Sequence, residues 1–168
     1  MHKIIVPVDG SPNSLLGARH AIGLAAARPD ATVYLVNAQP ALNRHIAQFA
    51  SQRDIDAARA ARGQQALEAA RRLVEAAGVR YRSVVLRGEP ARAIARFAME
   101  ERADQIVLGT SRKNALARLV TGSITDRLLG QAEVPVAVIN GASPSALQRY
   151  GIPATVGAGL AALLMAVE

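Results

Sequence analysis

The chain has no cysteine and no tryptophan, and its 168 residues include only three tyrosines and two phenylalanines. Without cysteine there can be no disulfide, thiolate metal site, iron–sulfur cluster or cysteine nucleophile. Its three histidines, His2, His20 and His45, are scattered with no HExxH-like spacing, so no transition-metal site is expected. The shortage of rings also bears on the charge. A net charge of +7 and a pI near 11.0 invite a nucleic-acid reading, but the basic residues are 18 arginines and two lysines spread along helical segments. With so few aromatics to stack on bases, no nucleic-acid partner is expected. The apolar run near the start, Ile4 to Val8, is too short for a signal-peptide core and no small-residue cleavage site follows it, which predicts a cytoplasmic address. What is present is 51% apolar and 20% charged residues, enough to bury one globular core.

Apolar runs alternate with helical stripes along the chain. Ile4 to Val8 reads as a strand, and Asp9-Gly10-Ser11-Pro12 as a turn into a helix with Ser11 as N-cap and Pro12 at its first position. That helix carries Leu15, Ala18, Ile22 and Ala25 on one face and stops near Arg28-Pro29-Asp30; Thr32 to Val36 is a second strand. A stripe of Leu67, Ala70, Val74 and Ala77 marks a helix stopped by Gly78, and Val79 to Arg87 a third strand. Gly88-Glu89-Pro90 opens a helix with Ala91, Ile94, Ala95 and Ala98 inward, followed by a strand from Ile106 to Leu108 that ends at Gly109. Gly122-Ser123 starts a helix with Ile124, Leu128 and Ala132 inward, and Val134 to Ile139 is a fifth strand whose Pro135 suits a sheet edge. Continuous apolar strands separated by helices predict an α/β fold: an open, doubly wound, five-stranded parallel sheet with helices on both faces.

The expected domain is residues 1–140. Residues 141–168 follow as a linker, Gly141 to Ser145, and an apolar C-terminal helix. The 18 uncharged residues between Arg149 and Glu168 reach the length of a membrane span, but glycines and a proline dilute them. Ile152, Val156, Leu160, Leu163, Leu164 and Val167 recur at helical spacing, which predicts a docking helix rather than membrane insertion.

In a doubly wound sheet, ligands sit beyond the carboxyl ends of the strands where the winding reverses. The turns to watch are therefore Asp9-Gly10-Ser11, Asn37-Ala38 and the stretch from Gly109 to Ser123. Gly122-Ser123 at a helix start offers free N–H groups to an anion, with the hydroxyls of Ser123 and Thr125 as added donors. The same residues serve equally as turn glycines and an N-cap, and local pattern by itself favours that plainer role. Asp9 either caps the first turn or meets a metal or sugar hydroxyl. No P-loop lysine occurs, and Gly157 to Ala162 matches GxGxxA with too little chain after it to form a dinucleotide fold. No nucleophile with a histidine partner is identifiable.

Taken together, VPVDGSPNS near the start, GEPARAI in the middle and ADQIVLGTSRKNALARLVTGSITDRLLGQAEVPVAVI towards the end resemble the universal stress protein family across residues 1–140. The resemblance implies a Rossmann-like fold related to the adenine nucleotide α-hydrolases. ATP-binding members carry G-x2-G-x9-G-S/T after the fourth strand. Here Gly109, Gly122 and Ser123 match that pattern, while Arg112 stands where the second glycine is expected. A long side chain at that position either obstructs the nucleotide or, pointing outward, pairs with phosphate oxygens. By the same resemblance Pro7, Val8 and Asp9 match the strand-one contacts, Ala38 the adenine contact, and Leu108 and Ile124 the flanks of the glycine loop. Ala38 is smaller than the valine usual there and implies a looser adenine pocket.

The expectation that follows is a cytoplasmic stress-response module that binds an adenine nucleotide, ATP with Mg²⁺ near Asp9, and acts by changing conformation or partners, with slow hydrolysis at most. It pairs as a homodimer through the fifth strand. The alternatives are a nucleotide-free dimeric interaction protein, because Arg112 replaces the loop glycine, and a hydrolase using Asp9 with a divalent ion.

Overall fold

A computed structural model describes residues 1–40, 51–110 and 124–140. Five parallel strands form its sheet: β1 (His2–Pro7), β2 (Ala31–Gln39), β3 (Tyr81–Arg87), β4 (Gln105–Thr110) and β5 (Val136–Asn140). Between them run the helices α1 (Pro12–Ala26), α2 (Gln52–Ala76), α3 (Pro90–Glu100) and α4 (Ile124–Gln131). The spatial order β3-β2-β1-β4-β5 means that the chain winds outward from β1 through β2 to β3, then returns to the other side of β1 for β4 and β5. The expected α/β sheet is present, and its winding reverses between β1 and β4.

Alternation along the central strands divides the core in two. On one face Ile4, Val6, Val33, Leu35 and Val107 meet α1 and α2 through Ala18, Ala21, Leu67, Ala70 and Val74. On the other, Ile5, Tyr34, Val36, Ile106 and Leu108 meet α3 and α4 through Ala91, Ile94, Ala98 and Leu128. All of these are buried, so β1, β2 and β4 read as uninterrupted apolar runs because neither face meets water.

The helix starts follow their sequence signals. Ser11 caps α1 by accepting from the Ser14 N–H at 3.3 Å, with Pro12 at the first position. Glu89 caps α3 by accepting from the Ala91 and Arg92 N–H groups at 3.2 and 2.9 Å. The buried face of α1 is made of Ser14, Gly17, Ala18, Ala21 and Ala25, while the expected Leu15 and Ile22 are only partly buried. Glycines explain that choice. A Cβ on Gly17 would stand 2.9 Å from the Gly109 nitrogen, and one on Gly109 would fall 1.8 Å from the Asn13 carbonyl oxygen. The first turns of α1 thus lie backbone to backbone on the end of β4.

Several boundaries differ from the sequence reading. The second strand does not turn at Asn37-Ala38: β2 runs on to Gln39, because its register with β3 continues to the pair Gln39 and Arg87. Likewise β4 continues through Gly109 to Thr110, which pairs with Asn140. Pro135 precedes β5, and its carbonyl accepts from the Ile106 N–H at 2.9 Å. Ile124, expected inward, is 41% exposed, and Ala77, expected on the buried stripe, is the exposed C-cap of α2. The expected linker and C-terminal helix lie outside the described residues.

Candidate functional site

The carboxyl ends of β1, β2 and β4 converge on a cavity of about 130 Å³. Its position is the point of reversed winding, where α1 and α4 lie on opposite faces of the sheet and no helix among the described residues closes the gap.

Local hydrogen bonds hold the β1 side of this cavity. Past the formal end of β1, the Val8 N–H still donates to the Val36 carbonyl at 2.8 Å. The Asn37 amide nitrogen donates to the Val8 carbonyl at 2.7 Å, and its oxygen accepts from the Gln39 amide at 2.6 Å. Asn37 is 4% exposed, so this chain of amides satisfies a polar side chain that would otherwise be costly to bury. Asp9 then closes the turn by accepting from the Ser11 N–H at 2.9 Å, and the Ser14 hydroxyl donates to the Ser11 carbonyl at 2.8 Å. Gly10 between them has φ +84°, in the left-handed region that favours glycine.

Asp9 is an ionised group at the rim. Partial desolvation works against its charge, but hydrogen bonds from the Ser11 hydroxyl and N–H, with help from Ser14, outweigh it and hold its pKa below the ordinary aspartate value. At the N-cap of α3, Glu89 is likewise held below the usual carboxylate range, first by the Arg92 N–H and then, against desolvation, by the Ala91 N–H and the Arg127 and Arg92 guanidiniums. The Arg127 guanidinium lies 3.3 Å from the Glu89 carboxylate. This pair ties the start of α3 to the first turns of α4.

Of the residues singled out from the sequence, Pro7, Val8, Asp9 and Ala38 line the cavity from the β1 and β2 side. Leu108, Gly109, Ile124 and Thr125 line it from the β4 and α4 side. Arg112, Gly122 and Ser123 lie outside the described residues. Sequence reasoning passed over Ser14, Val36, Pro90 and Ile94 as cavity residues, and it took Asn37 as part of a turn. Ile94 carried the signal of a core residue and is 3% exposed, so its second role at the cavity floor shows only once α3 is laid across the sheet.

The lining is apolar from Val36, Ala38, Ile94 and Leu108, with polar groups from the buried Ser14 and Asn37, from Thr125 and from the exposed Asp9. Such a slot suits a flat ring with polar substituents directed outward. Among the described residues no group of three or more His, Asp or Glu could hold a metal ion, and no helix is long and apolar enough to cross a membrane.

The comparisons with known proteins agree with this architecture. A family model described as the universal stress protein family matches residues 1–140. A curated universal stress protein of Methanocaldococcus jannaschii is 36% identical over 140 residues, covering 82% of this chain and 81% of its own length. Among solved structures, a universal stress protein from Archaeoglobus fulgidus superposes with a TM-score of 0.63 at 27% identity, covering 83% of this chain and 93% of that one. One from the same organism in complex with dAMP gives 0.61 at 25% identity, with 83% and 98% covered.

Proposed function

Because this chain belongs to the universal stress protein family, we propose that it is a cytoplasmic stress-response module that takes an adenine nucleotide into the cavity between β1 and β4. The observation that carries this reading is the cavity itself: an apolar slot at the point of reversed winding with an ionised carboxylate on its rim. The relative solved with dAMP supports the choice of an adenine nucleotide.

In this reading the base lies against Val36, Ala38, Ile94 and Leu108, with Pro7 and Val8 beneath it. The small Ala38 leaves the base room. A cavity of about 130 Å³ encloses only part of a nucleotide, so the phosphates reach out over the mouth towards Ile124 and Thr125. There Gly122 and Ser123 precede α4 in sequence, and the helix start supplies donors to an anion. Arg112 belongs to the same stretch of sequence, Gly109 to Ser123.

Magnesium ordinarily takes one or two protein carboxylates and completes its shell with phosphates and water. Asp9, ionised and with one carboxylate oxygen engaged by Ser11, fits the part of that single protein ligand. When bound, the ion would neutralise phosphate charge. With no positioned nucleophile and base pair among the described residues, this reading makes binding rather than turnover the function, with slow ATP hydrolysis at most. Residues 1–140 carry it, as a homodimer through β5.

Thermal unfolding with Mg²⁺ and ATP is the test. At about 100 times its dissociation constant, ATP should add about 2.7 kcal/mol of stability. An unmoved melting temperature together with no calorimetric heat of binding would sink the nucleotide reading in favour of a nucleotide-free dimeric interaction protein.

A further inference from the structure

A second concave surface begins where the cavity ends. Asp9, Gly10, Gln39, Arg62, Gln65 and Ala66 enclose an open groove of about 470 Å³, sharing Asp9 with the cavity. A smaller recess lined by Gln39, Pro40, Ala58, Arg59 and Arg62 continues it along the same stripe of α2. Residues 58, 59, 62, 65 and 66 repeat at helical spacing, so α2 turns one face to the ends of β1 and β2.

That face holds more positive charge than it neutralises. Asp56 is shared, with one carboxylate oxygen 3.1 Å from the Arg59 guanidinium and the other 3.1 Å from that of Arg87. Arg62 has no ion pair or side-chain hydrogen bond among the described residues. Arg59 is mostly buried, at 14% side-chain exposure, yet its Nε is the buried side-chain atom without a partner among the described residues. The Arg59 guanidinium is thus short of acceptors, and an anion against the part of it that opens on the recess would add to them. The sequence from 41 to 50 contains no aspartate or glutamate that could serve as an internal carboxylate partner.

We propose that the groove between α2 and the ends of β1 and β2 is an anion site in which Arg59 and Arg62, with the Gln39 and Gln65 amides, take a phosphate group. The anion sits at the arginine end, away from the Asp9 carboxylate. Its phosphate comes either from a free oligophosphate or from the tail of a ligand in the neighbouring cavity that turns towards α2 instead of α4. The site stands on its own residues and does not depend on the nucleotide reading.

Calorimetric titration at fixed ionic strength with inorganic tripolyphosphate, ATP and adenosine tests this on the unsubstituted protein, Arg62→Gln and Arg19→Gln. Arg62 and Arg19 are both exposed, so each change removes one surface charge, but only the first lies in the groove. Tripolyphosphate should bind the unsubstituted protein and Arg19→Gln alike, and Arg62→Gln about tenfold more weakly, the effect of one charge-assisted contact. If Arg62→Gln also weakens ATP while sparing adenosine, the phosphate is the ligand's tail; if it spares ATP, the anion is a free one. In the unsubstituted protein, tripolyphosphate should also slow phenylglyoxal modification of Arg59 and Arg62 but not of Arg19. No binding of tripolyphosphate, equal weakening by Arg19→Gln, or unprotected arginines would overturn the site. Binding of tripolyphosphate with none of ATP or adenosine would refute the nucleotide reading and leave the groove standing.

Discussion

Asp9 shows how one residue is asked to do two things. Its carboxylate stabilises the turn that begins α1, through the Ser11 N–H, and at the same time faces the cavity. Because its pKa is lowered on folding from the ordinary 3.8, it binds protons less readily in the folded chain than in the unfolded one. The stability it contributes is therefore full above the unfolded value and is lost as pH falls through the lower folded value. We expect Asp9→Asn to be less stable than the unsubstituted protein at neutral pH, with the gap closing as pH drops below about 4. Urea midpoints for both proteins across that range provide the check, and a gap independent of pH would show that the charge contributes nothing. Asn37 works differently. It is uncharged and buried, and its amide fixes the carbonyl of Val8 rather than meeting solvent.

The contact between α1 and β4 decides how the elements meet at the site. Gly17 and Gly109 allow the two backbones to touch, which brings the capped start of α1 over the end of β4. The same glycine that matches a nucleotide-loop pattern in sequence thus has a packing reason to lack a side chain. Gly109→Ala should destabilise the protein by about 2 to 3 kcal/mol, since the new methyl meets a carbonyl that can retreat only with its helix. Chemical denaturation measures this directly; a loss under about 0.5 kcal/mol, the range of a neutral surface change, would mean that α1 is not pressed against β4. This contact also shows where the sequence was legible. The strands could be read because β1, β2 and β4 are buried on both faces and so carry unbroken apolar runs. The α1 face was legible only in part: Ala18 and Ala25 are buried as expected, but close approach selects glycine and alanine at its centre and leaves the large Leu15 and Ile22 packed at its margins. Most of the cavity was legible from strand ends, which the winding makes special. Pro90 and Ile94 were not, because only the placement of α3 beside β2 brings them to residues far away in sequence.

At the scale of the whole molecule, the sheet ends at β5, which pairs with β4 alone among the described residues. Since the Ile106 N–H reaches the Pro135 carbonyl, the alternation of a parallel ladder turns the N–H groups of Val136 and Val138 to the open side. A two-fold partner strand can satisfy such an edge reciprocally. Light scattering on the eluting protein should give a dimer, and Val138→Pro, which removes an outward donor and spares the β4 ladder, should shift it to monomer with its circular dichroism preserved. A monomer before substitution, or a dimer that survives it, would remove β5 as the interface.

The seam between β1 and β4 has a consequence in time. Ile4 pairs with Gln105, and the Lys3 N–H reaches the Asp104 carboxylate across 101 positions of chain. A ribosome must therefore deliver about two-thirds of the protein before the first strand can acquire its second neighbour, whereas β2 and β3 can assemble beside β1 as soon as they emerge. The cavity that this seam creates is absent from every shorter nascent chain. A ligand bound there can act on the protein only once β4 and the start of α4 have arrived, so it offers no help to a product stalled or truncated before them.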